Sequence, residues 1–220
     1  MAILSQESGL LFIQTPHTGS TAVARLLIRR SGGVRLPARD QRAINPRKAV
    51  PHHHATLRQL MDGDLITAEQ RGRLIVAAGV RNPFDLLVSE FIRTTSATQT
   101  RSDGSVIRKP AAPAEFPAWL RWRLGARLQG RLRGRRYAAL RDHTEGVDEV
   151  VRFEQLQEDF DALMKRVGAA PMEVPVINAT VGRQRDRRHY SAYFGPEERQ
   201  AVESVYAGWL DRFGYSFEPG

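Results

Sequence analysis

The chain has 220 residues, of which 41% are hydrophobic and 26% charged, a composition that fits a folded globular protein and excludes a disordered or fibrous one. Lysine and arginine outnumber aspartate and glutamate by 33 to 24, a formal net charge of +9, so the long-range field favours anionic partners. Cysteine is absent, which excludes disulfides, a thiolate nucleophile and a cysteine zinc site.

The length predicts a single domain over residues 1–220. The first residues lack the basic region and cleavage site of a secretion signal, and no apolar run reaches the roughly 20 residues that span a bilayer. We therefore expect a soluble, cytoplasmic protein with no transmembrane segment.

A strand, a tight loop and a helix are predicted near the start of the chain. The apolar run Leu10–Gln14 indicates a buried strand that ends before Pro16, because proline cannot join the ladder of hydrogen bonds. Apolar residues at helical spacing, from Val23 to Leu27, then predict a helix that ends near Gly32.

A second strand–helix pair follows. Leu74–Val80 is an apolar run typical of a buried strand, and Pro83 is well placed in the first turn of a helix through Phe84–Arg93. Between the two pairs the sequence predicts loop with one short strand over residues 33–54, and two short helices, Thr56–Met61 and Thr67–Gly72.

The second half of the chain continues the alternation. We predict, in order, a loop over 94–113, a basic helical insertion over about 113–142 centred on a helix at Glu115–Arg141, a strand at Val147–Phe153, and helices at Glu154–Val167 and Pro196–Phe213. Strands separated by helices predict an α/β fold with a mostly parallel sheet flanked by helices.

The first loop has the composition of an anion cradle. Pro16-His17-Thr18-Gly19-Ser20-Thr21 presents successive backbone N–H groups at a helix N-terminus, where the helix dipole favours negative charge. Three hydroxyls add donors, and glycine allows a close approach. The leading glycine and the lysine of the triphosphate loop GxxxxGK[ST] are missing, which argues against triphosphate hydrolysis. The alternative is that Ser20 or Thr18 merely caps the helix.

The second junction places Arg81 at the end of a strand and Ser89 eight residues later. In a parallel sheet ligands gather at this edge, and the two side chains are suited to bind one phosphate, Arg81 as a charged fork and Ser89 as a hydroxyl donor. The alternative is that Arg81 pairs with a surface carboxylate and Ser89 is a tolerated helix residue.

The two junctions together resemble the sulfotransferases that use 3′-phosphoadenosine 5′-phosphosulfate (PAPS), especially their carbohydrate-type and bacterial branch. PHTGST is similar to that family's loop PKTGST or PKTGGT, and VRNPFDLLVSEF is similar to its motif VRNPxDRLVSxY. The later segments Val150–Phe160 and Phe213–Phe217 are also similar to recurrent family segments. The resemblance implies a P-loop-nucleotide-kinase-like sulfotransferase fold, PAPS as donor, the bisphosphate PAP as product, and no metal.

The resemblance also implies roles for individual residues. Those that bind the 5′-phosphosulfate would be Pro16, His17, Thr18, Gly19, Ser20 and Thr21, and those that bind the 3′-phosphate would be Arg81 and Ser89. His17 departs from the family, which generally has lysine there to neutralise charge on the departing phosphate. A protonated histidine supplies the same charge over a shorter reach and only while it stays protonated, so pH-limited activity is an expectation.

Sulfuryl transfer to an alcohol needs a base that titrates near neutrality, and histidine suits this role. His54-Ala55-Thr56 resembles the family's recurrent His-Ala-Ser/Thr segment, so His54 is the first candidate base, with His53 and His52 behind it. The alternative is a solvated loop that contains histidines. A zinc site is disfavoured, because three consecutive residues cannot converge on one ion.

The sequence therefore predicts a PAPS-dependent sulfotransferase acting on a hydroxyl or amine of a carbohydrate or small acceptor. The basic helix is suited to bind an anionic saccharide or a glycolipid, or else is a solvated face. Alternatives are a PAP-binding relative that has lost catalysis, a nucleotide kinase, and a basic nucleic-acid-binding module. The last is disfavoured, because no RNA or DNA motif accompanies the arginines.

Overall fold

A computed structural model describes residues 2–38, 50, 54–95, 97–100, 106–109, 112–132, 142–177, 188–218 and 220, with side chains described for all of these except 97–100, 106–109 and 126–132. The chain divides into two compact units, Met1–Arg81 with Arg141–Ile177 and Asn82–Leu140 with Asn178–Gly220. The predicted single domain with a basic helical insertion stays a prediction.

Seven strands and seven helices are found in the described residues. The strands are β1 (Ala2–Ser5), β2 (Leu10–Ile13), β3 (Val34–Leu36), β4 (Ile75–Val80), β5 (Ala97–Thr100), β6 (Val106–Lys109) and β7 (Glu149–Arg152). The helices are α1 (Ser20–Arg30), α2 (Leu57–Asp62), α3 (Ala68–Arg73), α4 (Pro83–Thr95), α5 (Phe116–Leu132), α6 (Leu156–Arg166) and α7 (Pro196–Phe213). None of these helices combines the length and apolar character needed to cross a bilayer.

The first unit is built on a five-stranded sheet in the order β3-β1-β2-β4-β7. Strands β2, β4 and β7 are parallel, whereas β1 is antiparallel to both of its neighbours. The α/β class is confirmed, but the expectation of a mostly parallel sheet is wrong because the sheet is mixed. Only four residues connect β1 to β2, a hairpin closed by the Gly9 N–H to the Gln6 carbonyl at 3.2 Å, and a parallel pair needs a much longer crossover.

Both faces of this sheet are covered. Alternate strand residues such as Ile3 and Phe12 pack under α1 and α6, while Leu11 and Ile13 pack on the opposite face against α2. Strand β1 was not predicted, although all four of its residues are buried. Four residues are too few to show a strand period, so its place in the sheet comes from its pairing with β2.

Asp148 fastens the start of β7 to β4. Its carboxylate accepts hydrogen bonds from the Val76 backbone N–H at 2.8 Å and from the Arg71 guanidinium at 2.7 Å. Partial burial raises the pKa of Asp148, but the hydrogen bonds from Arg71 and Val76, together with the positive charges of Arg71 and Arg166, hold that pKa below its ordinary value. The carboxylate form of Asp148 therefore stabilises the first unit.

The second unit has an aromatic core in which α4, α5 and α7 meet. Phe91 and Phe116 pack edge to face with ring centroids 5.3 Å apart, and Tyr193 lies 5.7 Å from Phe116. The predicted loop over 94–113 is wrong in its centre, because β5 and β6 pair there as an antiparallel hairpin. Thr98, Thr100 and Val106 favour strands, and this preference outweighs the turn residues around them.

The basic helix is α5, and the predicted continuation to Arg141 lies outside the described residues. Trp119 packs against the aromatic core, whereas Trp122 is 67% exposed. Arg123 forms an ion pair with Glu90 at 2.6 Å. Arg123 is thus engaged within the fold, and an acidic saccharide or glycolipid at this helix stays a prediction.

Candidate functional site

Hydrogen bonds to one carbonyl close the loop between β2 and α1. The Thr18 hydroxyl donates to the Thr15 carbonyl at 3.0 Å, and the Ser20 hydroxyl donates to the same oxygen at 2.7 Å. Each hydroxyl has one proton, so neither donates elsewhere while these bonds are in place. Thr18 and Ser20 therefore hold the shape of the loop, and their binding of 5′-phosphosulfate stays a prediction.

Two loop residues have left-handed backbone, His17 with φ 62° and Gly19 with φ 71°. For a residue other than glycine this conformation costs about 1–2 kcal/mol. A Cβ at Gly19 would also lie 3.0 Å from Leu156 and 3.2 Å from Phe153. Glycine is therefore required at position 19 both by its backbone and by its neighbours.

Arg81, from the end of β4, braces the strained residue His17. Its guanidinium donates to the His17 carbonyl at 2.7 Å and lies over the Phe153 ring, 3.8 Å from the centroid. A Cβ at Gly79 would collide with the Thr18 side chain, so β4 packs directly on the loop. The structure thus brings Arg81 to the first loop, as the parallel pairing of β2 with β4 requires.

Arg81 is 3% exposed and Ser89, on α4 of the second unit, is 4% exposed. The alternative in which Arg81 pairs with a surface carboxylate stays a prediction. Binding of a 3′-phosphate by Arg81 and Ser89 stays a prediction.

The N-terminus of α1 has no side-chain cap. Its N-cap is Gly19, which has no side chain to cap the helix, and its first turn contains no acidic residue. Next to it, the Thr15 hydroxyl is buried and has no hydrogen-bond partner among the described residues. The positive end of the helix dipole at this uncapped terminus favours negative charge.

His54 has the tautomer that a general base needs. Its Nδ1 lies 2.9 Å from the Gln14 carbonyl oxygen, and a carbonyl can only accept, so in the neutral ring Nδ1 carries the proton. Nε2 is then the nitrogen with the lone pair, which is the atom that takes a proton. His53 and His52 lie outside the described residues.

His143 supports His54 and was not predicted from the sequence. Its Nε2 donates to the His54 carbonyl at 3.1 Å, and the two rings meet edge to face with centroids 6.4 Å apart. His143 is 7% exposed. The contact joins residues 89 positions apart, and no local motif marks such a pair.

His54 lies on a cleft of about 250 Å³ beside the first half of α1. Its lining residues are Gln14, Thr21, Ala24, Arg25, Ile28, Arg35 and His54. The helix contributes positions 21, 24, 25 and 28, the spacing of one helix face. The sequence reasoning missed both arginines. The helical position of Arg25, one turn after Thr21, was available as a signal, whereas Arg35 depends on the placement of β3.

Comparison with known proteins finds no relative for this chain. No protein-family model matches, and neither the curated proteins nor the solved structures yield a match. Among the described residues, no three histidine or acidic side chains lie together in a group suited to a metal ion.

Proposed function

We propose that the protein is a sulfotransferase that moves the sulfuryl group of PAPS to a hydroxyl, or less favourably an amine, of a carbohydrate or other small acceptor. One observation carries this proposal: Thr21 of the anion-binding loop and the candidate base His54 line the same cleft. The motifs at the two strand ends support the choice of donor.

On the donor side, the loop and the start of α1 stabilise the negative charge of the leaving phosphate. Backbone N–H groups and the helix dipole act on that charge without rearrangement, because hydrogen bonds to Thr15 and from Arg81 already fix the loop. A protonated His17 adds a positive charge at the same place.

On the acceptor side, Nε2 of His54 takes the hydroxyl proton as the acceptor oxygen forms its bond to sulfur. The bond between sulfur and the bridging oxygen breaks, and PAP leaves with the electron pair. His143 is a positioning residue, because it holds the backbone of His54 rather than the reacting atoms. Positioning and electrostatics supply most of the acceleration, as in phosphoryl transfer.

A relative that binds PAP without catalysis is the second candidate. It is favoured by His17, which stands where the resembling family generally has lysine. Binding of PAP without turnover under all conditions would support this candidate, and restored turnover in His17→Lys would identify the missing charge as the cause.

Thermal unfolding with added ligands tests the proposal. PAP should stabilise the protein by about 2.7 kcal/mol at a hundredfold excess over its Kd, and adenosine 5′-phosphate, which lacks the 3′-phosphate, should stabilise it less. Stronger protection by ATP would favour a kinase, and protection by duplex DNA alone would favour a nucleic-acid-binding module. No shift with PAP overturns the proposal.

A further inference from the structure

Two arginines on the cleft lack a carboxylate partner in the described part of the chain. Arg25 and Arg35 are exposed and form no ion pair or hydrogen bond with a described residue. No aspartate or glutamate is among the described residues that line this cleft. By contrast, Arg71, Arg123 and Arg152 each pair with a carboxylate.

The fold places both arginines on the same side of the sheet. Arg35 lies opposite Ile3 in the β1–β3 pairing, and Ile3 belongs to the core beneath α1. Arg25 lies on α1 itself, one turn after Thr21. Arg25 and Arg35 therefore line one cleft together with His54, although they come from different elements.

This arrangement favours a negatively charged ligand. Two like charges on one concave surface repel, and an anion between them relieves that repulsion. Arginine forms paired, charge-assisted hydrogen bonds with carboxylate and sulfate groups. A cleft of about 250 Å³ is smaller than the ~300–1,000 Å³ of drug-sized sites, so it suits a single ring or a short chain.

We propose that Arg25 and Arg35 bind a carboxylate or sulfate group carried by the acceptor, and thereby hold the acceptor's hydroxyl at His54. This inference rests on the proposed function and adds the charge class of its acceptor. The donor occupies a different part of the helix. Arg25 lies four residues, or about 6 Å along the axis, beyond Thr21, so the acceptor's anion is bound away from the N–H groups of the loop.

Sugars that share a ring but differ in charge show whether the negative charge contributes to binding. Glucuronate and glucose share a ring and differ in one carboxylate, and glucose 6-sulfate carries a sulfate instead. Chemical-shift titration of the PAP-saturated protein should show tighter binding of glucuronate or glucose 6-sulfate than of glucose, and the better of the two identifies the preferred anion.

The double variant Arg25→Gln/Arg35→Gln assigns that preference to the two arginines. We expect it to bind the preferred charged sugar about ten- to a hundredfold more weakly, because charge-assisted hydrogen bonds are lost, while glucose and PAP bind as before. Arg30→Gln is the matched control, since Arg30 is an exposed arginine of the same helix that does not line the cleft.

Three results would overturn the inference: equal binding of charged and neutral sugars by the wild type, unchanged binding of the charged sugars by the double variant, or a parallel loss of PAP affinity, which would assign the arginines to the donor. If PAP itself fails to bind, the proposed function fails. The same titration without PAP still shows whether the arginines select an anion.

Discussion

The helices α1 and α4 follow parallel neighbouring strands, yet their N-termini are opposite in chemistry. At α4, the Asn82 side chain accepts the Phe84 N–H at 3.1 Å, Pro83 occupies the first position, and Asp85 places an acid in the first turn. At α1, the N-cap is a glycine, no side chain caps the helix, and the first turn has no acid.

The comparison shows that a strand-to-helix junction is not by itself an anion site. At α4 the Asn82 side chain satisfies a backbone N–H group and Asp85 complements the helix dipole, so this junction stabilises the fold. At α1 the short polar side chains turn inward to the Thr15 carbonyl and leave the helix end uncapped. The α1 junction is therefore the one of the two that fits the proposed ligand site.

The largest expected effect is on catalysis at the first junction. His54→Asn removes the base while keeping a residue that tolerates the left-handed backbone, φ 54°. Turnover should fall by about 10²–10⁴-fold, and PAP affinity measured by calorimetry should stay within about twofold, because the proposed function places His54 at the acceptor. Normal turnover in this variant would remove His54 from the mechanism.

A negative charge added at the start of α1 should change the stability of the protein and its affinity for PAP in opposite directions. In Thr21→Glu an acid enters the first turn, so the free energy of unfolding should rise by about 0.3–1 kcal/mol while PAP affinity falls at least tenfold by repulsion. Thr21→Gln is the neutral control for both measurements.

Asn82→Ala is the corresponding test at α4, because it removes the side chain that caps this helix. It should lower the free energy of unfolding by about 1–2 kcal/mol and leave the PAP affinity of the folded protein unchanged. If Thr21→Glu bound PAP as tightly as the wild type, the two helix ends would be equivalent, and the distinction between them would be lost.

The last expected effect concerns pH and lies away from both junctions. Asp148→Asn should lower the free energy of unfolding at pH 7 by about 1–2 kcal/mol. Because the folded-state pKa of Asp148 is lowered, its contribution is complete above the unfolded pKa of about 3.9 and is lost as pH falls through the lower folded value. Denaturant titrations should therefore show the two proteins converging below about pH 4.

Much of the fold followed from local patterns. Apolar runs and helical spacing predicted β2, β4 and α1 to within a few residues, and α7 was predicted with its observed bounds. The antiparallel β1 was missed because four residues carry no periodicity and only pairing with β2 gives them a place in the sheet. The β5–β6 hairpin was predicted as loop for a different reason, because turn residues surround its short strands.

The candidate site also has a part that local sequence patterns predict and a part that they do not. The loop at 16–21 and Arg81 carry local motifs, and the sequence placed them correctly at adjacent strand ends. His143 and Arg35 reach the site only through tertiary contacts, His143 through the His54 carbonyl and Arg35 through the pairing of β3 with β1. Nothing in their own neighbourhood along the chain distinguishes them from surface residues.

The bracket from Arg81 to the His17 carbonyl has a consequence for how a ligand would be captured. The strained residue His17 is held by the Arg81 guanidinium, which itself stacks on Phe153. The loop therefore has its shape before any ligand binds. Little chain entropy remains to be lost on complex formation, and affinity can come from few contacts.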